Sequence, residues 1–208
     1  MTTGGLPHVL GFLPGTDTAR APLVLLHGSD GTESDLLPLA GEVSPGAPAV
    51  CIRGTVATDG GYAFFRRCPD RRVDEADLDA RTPVLAEFIE DSCARLELTR
   101  RPVAVGFSNG AIMAAALLMD HPGLLAGAIM FRPLSPFADD ARYRSDRTPV
   151  LILDGANDDR RSAGDGGRLA ERLRRVGAPV THHVLPVGHA VTAADIAIAS
   201  EWLRVREL

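Results

Sequence analysis

The chain has 208 residues, 45% of them hydrophobic and 24% charged, with a net charge of −5. That length and balance predict one soluble globular domain, residues 1–208, with room for a large core, and the acidic balance argues against nucleic acid as a partner. All 22 basic residues are arginine, which removes any mechanism that needs a lysine Schiff base or a Walker-type lysine. The three cysteines, Cys51, Cys68 and Cys93, form no C-x-x-C pair, as expected of a reduced, cytoplasmic setting. The start of the chain lacks the basic and apolar regions of a signal peptide, and no apolar stretch approaches the ~20 residues that span a bilayer.

Taken in order, His8 to Leu13 is a short apolar run closed by Pro14-Gly15, an edge strand and turn. Leu23 to Leu26 is continuously apolar, the pattern of a strand buried on both faces. It ends in the loop His27-Gly28-Ser29-Asp30-Gly31. Thr32 to Asp35 then offer caps for a helix through Leu36, Leu37, Leu39 and Ala40. Ala49 to Ile52 reads as the next strand. Thr55 to Arg81 is a long polar stretch carrying Tyr62, Phe64, Phe65, Arg66 and Arg67, and loops of such length in small domains are usually functional or disordered. Its aromatics favour order. Thr82 to Leu96 has helical spacing, with Pro83 suited to a first turn.

Val103 to Gly106 is a strand rich in β-branched residues, and Ile112 to Met119 is an apolar, alanine-rich helix. Between them lies Gly106-Phe107-Ser108-Asn109-Gly110, the G-x-S-x-G pattern of a nucleophile elbow. The glycines have a steric reason: the turn is so tight that side chains two residues either side of Ser108 would strike the neighbouring strand or helix. Further strands follow at Leu125 to Phe131, Val150 to Leu153 and Val180 to Leu185, with helices at Arg168 to Val176 and Ala193 to Arg204. An irregular segment, Arg132 to Arg147, lies among them. The alternation predicts an α/β fold with a mostly parallel sheet of about seven strands, helices on both faces and no large cap domain.

A serine hydroxyl is a poor nucleophile at neutral pH, so Ser108 needs a base and the base needs an orienting acid. Both should lie in loops at the carboxyl ends of strands. His189 follows the last strand. The acid should come from the loop after Val150 to Leu153, where Asp154, Asp158 and Asp159 compete. Asp154 has a second reading as a cap of its own loop. An oxyanion would be met by the backbone N–H of Asn109, at a helix N-terminus, and by the main chain of Ser29. His27 reads as a support for that loop rather than a participant. His8 and His121 read as surface or turn residues. His182 and His183 alternate along a strand and lack the carboxylate or thiol partners of a metal site, so no metal is expected.

Several motifs then combine: Leu26-His27-Gly28, Asp35-Leu36 with Pro38-Leu39-Ala40, Arg53-Gly54, Phe64-Phe65-Arg66-Arg67, Gly106 to Gly110, Asp158 and Gly188-His189. Spread over residues 8 to 206, they resemble the small carboxylesterase/phospholipase family of α/β-hydrolases, related to acyl-protein thioesterases and dienelactone hydrolases. The nearest branch is that of bacterial esterase-like hydrolases linked to hydroquinone and catechol stress. That branch carries Asn after the nucleophile, as here, where thioesterases usually carry Gln. The resemblance implies a Ser108–His189–Asp158 triad, favours Asp158 over its two neighbours, and implies ester hydrolysis without a cofactor, often in a homodimer. The chain departs from the family at Asp159-Arg160-Arg161, where Pro or a small apolar residue usually follows the acid.

The expectation is therefore a serine hydrolase acting on a small-molecule ester. A thioesterase or a C–C bond hydrolase on the same site, or a ligand-binding protein of the same fold, are the alternatives. Phe64 and Phe65 are candidates to line an acyl or aryl pocket, with packing against the body as the competing role. Arg66 or Arg67 is a candidate to bind a substrate carboxylate, with surface pairing to Asp70, Asp74, Glu75 or Asp77 as the competing role.

Overall fold

The computed structural model describes residues 7–70 and 72–208. Seven strands form the main sheet: β1 (Leu10–Leu13), β2 (Leu23–Leu26), β3 (Ala49–Ile52), β6 (Val103–Phe107), β7 (Gly127–Phe131), β8 (Val150–Gly155) and β9 (Val180–Leu185), in the spatial order β1-β3-β2-β6-β7-β8-β9. All neighbours are parallel except the edge pair, β1 with β3. A separate ribbon pairs β4 (Val56–Ala57) with β5 (Tyr62–Ala63). The helices are α1 (Leu37–Val43), α2 (Glu75–Arg95), α3 (Asn109–Asp120), α4 (Asp165–Arg175) and α5 (Ala193–Val205). Among the described residues there is no cap domain.

The continuous apolar runs are explained by burial on two sides. Successive residues point to opposite faces of a strand. Val24, Leu26, Ala104, Met130 and Ile152 pack on one face with α2, α3 and α4. Leu23, Leu25, Val105, Ile129 and Leu153 pack on the other with residues of α1 and α5. α3 runs through the centre with every residue from Asn109 to Met119 buried, so its apolar character extends all round rather than along one stripe.

Two elements differ from the sequence expectation. α2 starts at Glu75, so Pro83 sits inside it and not in its first turn. An internal proline costs about 3 kcal/mol. It is offset here by local and tertiary contacts: Asp74 caps the helix by accepting from the Asp77 N–H, Leu78 is fully buried, and Asp77 pairs with Arg81. Within the long polar stretch lie the β4–β5 hairpin and, from Glu75, the first two turns of α2. α1 has Leu36 at its N-cap with no side-chain cap, because Thr32 donates to Asp35 instead. The segment after β7 is pinned to the body. Arg142 pairs with Asp79 of α2, and Arg172 of α4 donates to the Phe137 carbonyl. Among the described residues, no helix is long and apolar enough to cross a membrane.

Candidate active site

β6 ends in the elbow. Ser108 has φ 53° and ψ −104°, a conformation that costs an L-residue about 1–3 kcal/mol and persists only where the surroundings enforce it. The surroundings here are backbone. The Ser108 N–H donates to the Phe131 carbonyl at 2.9 Å, and the Gly110 N–H donates to the His27 carbonyl at 3.1 Å. A Cβ on Gly106 would lie 2.5 Å from the Gly110 oxygen, and one on Gly110 would lie 2.1 Å from the Leu26 oxygen. Strand, elbow and α3 are pressed together so closely that only glycine fits at both positions.

The loops after β8 and β9 bring two more groups to Ser108. The Ser108 hydroxyl donates to Nε2 of His189 at 3.1 Å, and Nδ1–H of His189 donates to Oδ2 of Asp158 at 2.8 Å. The second Asp158 oxygen accepts from the Arg160 N–H at 2.8 Å. Burial disfavours the charged form of Asp158, but the hydrogen bonds from His189 and Arg160 outweigh it and hold its pKa below the usual carboxylate value. Burial lowers the pKa of His189, with Arg161 and Arg160 adding to the effect and Asp158 opposing it. A neutral imidazole with Nδ1 protonated leaves Nε2 as the acceptor, which is the arrangement a general base requires.

The two other aspartates of the loop are placed differently. Asp154 lies 2.7 Å from Nε2 of His182, and Asp159 is exposed. His27 bridges the loop after β2 to the loop after β3: Nδ1–H donates to the Gly28 carbonyl at 2.6 Å, and Nε2 accepts from the Gly54 N–H at 2.9 Å. Burial lowers its pKa, which keeps Nε2 free of a proton for that bond. The backbone of Gly28 lies against the elbow: a Cβ there would sit 3.6 Å from the Ser108 Cβ. Ser29 follows it at the exposed mouth of the same loop. Asn109 opens α3, where the helix dipole favours negative charge.

The four residues considered for substrate contact are engaged with the body of the protein. Phe64 and Phe65 are each 1% exposed and belong to the core, with Phe64 tilted against the His27 ring at 4.8 Å, so they pack the long loop onto the body rather than line an open pocket. Arg66 takes the surface-pairing role: its N–H donates to Asp77 at 2.8 Å and its guanidinium lies 3.5 Å from the same carboxylate. The Arg67 guanidinium lies over the Phe65 ring at 5.7 Å. Among the described residues, no group of three or more His, Cys, Asp or Glu side chains is placed to hold a metal.

Three side chains at the site make contacts that the sequence pattern does not assign. The Asn109 amide, 1% exposed, accepts from the Phe64 N–H at 2.8 Å and donates to the Phe65 carbonyl at 3.3 Å, tying the long loop to the elbow. Arg132, fully buried with φ 54°, donates to the carbonyls of Gly188 and Ala190, which flank His189, and pairs with Asp195. A lone arginine directly after an apolar strand was the available signal for it. Arg161 reaches from the acid loop to Ser108, its Nη2 donating to Oγ at 2.8 Å. The unusual Asp159-Arg160-Arg161 run was its signal.

Residues 14–206 match the family model for phospholipase/carboxylesterase proteins. The chain is 35% identical over 188 residues to MhqD of Bacillus subtilis (strain 168), a protein named as a hydrolase, covering 90% of this chain and 94% of that one. The carboxylesterase of Bacillus cereus superimposes with a TM-score of 0.88 at 34% identity, over 100% of this chain and 97% of that one. A carboxylesterase from Mesorhizobium loti gives 0.87 at 28% identity, over 98% and 97%. The chain belongs to the phospholipase/carboxylesterase family of α/β-hydrolases and is a carboxylic ester hydrolase.

Proposed function

We propose that the chain cleaves esters of small to medium size through an acyl-enzyme on Ser108, with His189 as general base and acid and Asp158 as its orienting partner. The observation that carries this reading is the unbroken hydrogen-bond chain from Ser108 Oγ through His189 to Asp158. His189 takes the hydroxyl proton as Oγ attacks the ester carbon, and Asp158 stabilises the imidazolium that forms. The oxyanion is received by the N–H of Asn109 and by the main chain at Ser29, each worth several kcal/mol of barrier in sites of this kind, on the order of 3. His189 then gives its proton to the departing alcohol. Water, activated by the same imidazole, releases the acid and restores Ser108. The three cysteines are unpaired, which supports a reducing cytoplasmic setting.

Labelling by a fluorophosphonate probe tests the nucleophile. Wild-type protein is expected to label and Ser108→Ala to lose both labelling and ester turnover while keeping its melting temperature. Persistent labelling of Ser108→Ala would refute the assignment. A panel of p-nitrophenyl esters of rising chain length, run beside acyl-thioesters, then defines the acyl group. Preference for thioesters by a large factor would displace the ester reading.

A further inference from the structure

The geometry points to Arg161 as the receptor for a carboxylate on the substrate, which makes anionic esters the preferred substrate class. The inference rests on the reading of Ser108 as nucleophile. Arg161 Nη2 lies 2.8 Å from Ser108 Oγ, so a substrate bound for attack by Oγ lies beside this guanidinium. The guanidinium is held in place by backbone: Nε donates to the Arg132 carbonyl at 2.8 Å and Nη1 to the Arg160 carbonyl at 3.3 Å. Arg132 is itself buried and locked by Asp195. A guanidinium pre-oriented in this way suits binding of a carboxylate.

The charge it receives is distinct from the developing oxyanion. β2 and β7 flank β6 on opposite sides. The oxyanion loop follows β2. Arg161 is anchored to the residue that follows β7, so it approaches Ser108 from the far side. On that side it already acts on Asp158, and the substrate charge that meets it there is one the substrate carries before reaction. With Nη2 in contact with Oγ, that group sits within about two to four bonds of the scissile carbonyl, given hydrogen bonds near 2.8 Å. In the free enzyme Oγ accepts from Arg161 while donating to His189. An accepted hydrogen bond draws density from the attacking oxygen. A substrate carboxylate supplies Arg161 with a stronger acceptor and so releases Oγ for attack.

The test compares monoethyl succinate with diethyl succinate, which has the same skeleton with its carboxylate masked, by titrating released acid. A second pair, acetoxyacetate against ethyl acetate, places the carboxylate on the alcohol side, and the two pairs show which half of the ester Arg161 reads. Wild-type protein is expected to favour the anion of at least one pair in kcat/KM. Arg161→Ala is expected to cut that preference about ten- to a hundred-fold, chiefly through KM for the anion, and Arg161→Lys to restore part of it. Should the alanine variant fold poorly, protection of the wild type serves instead: succinate should slow fluorophosphonate labelling of Ser108 and succinamide should not. Labelling and neutral-ester turnover without any anion preference, or a preference that survives Arg161→Ala, overturns the assignment and leaves Ser108 as nucleophile. Absence of labelling together with absence of turnover on all four esters overturns both.

Discussion

Arg132 and Asp195 meet as a doubly hydrogen-bonded ion pair, Nη1 to Oδ1 and Nη2 to Oδ2 both at 2.8 Å, with neither side chain exposed to solvent. The pair joins two tasks. Asp195 completes the capping box that starts α5, and Arg132 holds the peptide carbonyls on either side of His189. Breaking a buried pair by removing one partner costs about 3–5 kcal/mol, because the other charge is left in a low-dielectric interior. Arg132→Met should lower stability by that amount, roughly a 10 °C fall in melting temperature for a chain of this size, and should reduce kcat. The double variant Arg132→Met with Asp195→Leu should recover much of the melting temperature but not kcat, since the hold on Gly188 and Ala190 stays lost. Recovery of both would show that Arg132 acts only through its charge balance.

The acid limb of the pH–rate profile follows from His189. Burial lowers its pKa from the ordinary 6.5, with Arg161 and Arg160 acting in the same direction. Only the neutral imidazole accepts the Ser108 proton, so activity disappears as pH falls through this depressed value. The expected midpoint in kcat/KM for a neutral ester lies below 6.5. Arg161→Ala removes a nearby positive charge, favours the imidazolium and should move the midpoint upward. A wild-type midpoint above 6.5, or a downward move in the variant, contradicts the assignment of His189 as the titrating base.

Asn109 gives a stability prediction separate from the main-chain role proposed for it. Asn109→Ala strands the Phe64 N–H and the Phe65 carbonyl inside the protein, at a cost of about 1–3 kcal/mol. Asn109→Gln should not restore the loss, because the site is 1% exposed and an added methylene must displace packed neighbours. Urea midpoints for the three proteins measure this directly. A glutamine variant as stable as wild type would show that the loop adjusts to the longer amide.

Two glycines in helical segments should respond in opposite ways to alanine. A Cβ on Gly110 lies 2.1 Å from the Leu26 oxygen, a contact with backbone that cannot swing aside, so Gly110→Ala should destabilise by about 1–3 kcal/mol or more. Gly41, inside α1, has nothing within 4 Å of the same point. Gly41→Ala should stabilise by about 0.5–1 kcal/mol through helix propensity. Parallel thermal melts decide the contrast, and equal effects at the two positions would reject it.

The sheet could be read from the sequence because its signals are local. Unbroken runs such as Leu23–Leu26 and Val150–Leu153 have no other use than burial on two faces, and the parallel order then puts Ser108, the acid loop and His189 at the same edge. The start of α2 was harder to read. Pro83 is a strong local stop signal, and what overrides it is the burial of Leu78 and the pairing of Asp77 with Arg81, which no window of neighbouring residues displays.

By itself, then, the sequence determined the strand alternation, the elbow with its two obligatory glycines, and the candidates for base and acid, because periodicity, steric exclusion and chain order act over short distances. Only the tertiary structure brings Asp158 to His189 and Asp154 to His182. Only it turned Phe64 and Phe65 inward, gave Arg66 to Asp77, and carried Arg161 from the acid loop to Ser108. An arginine looks the same in sequence whether it faces solvent, an aspartate or a nucleophile. The guanidinium ends a long flexible stem, and which partner it meets is set by residues 29 to 63 positions away, from Arg132 to Asp195 and from Arg161 back to Arg132 and Ser108.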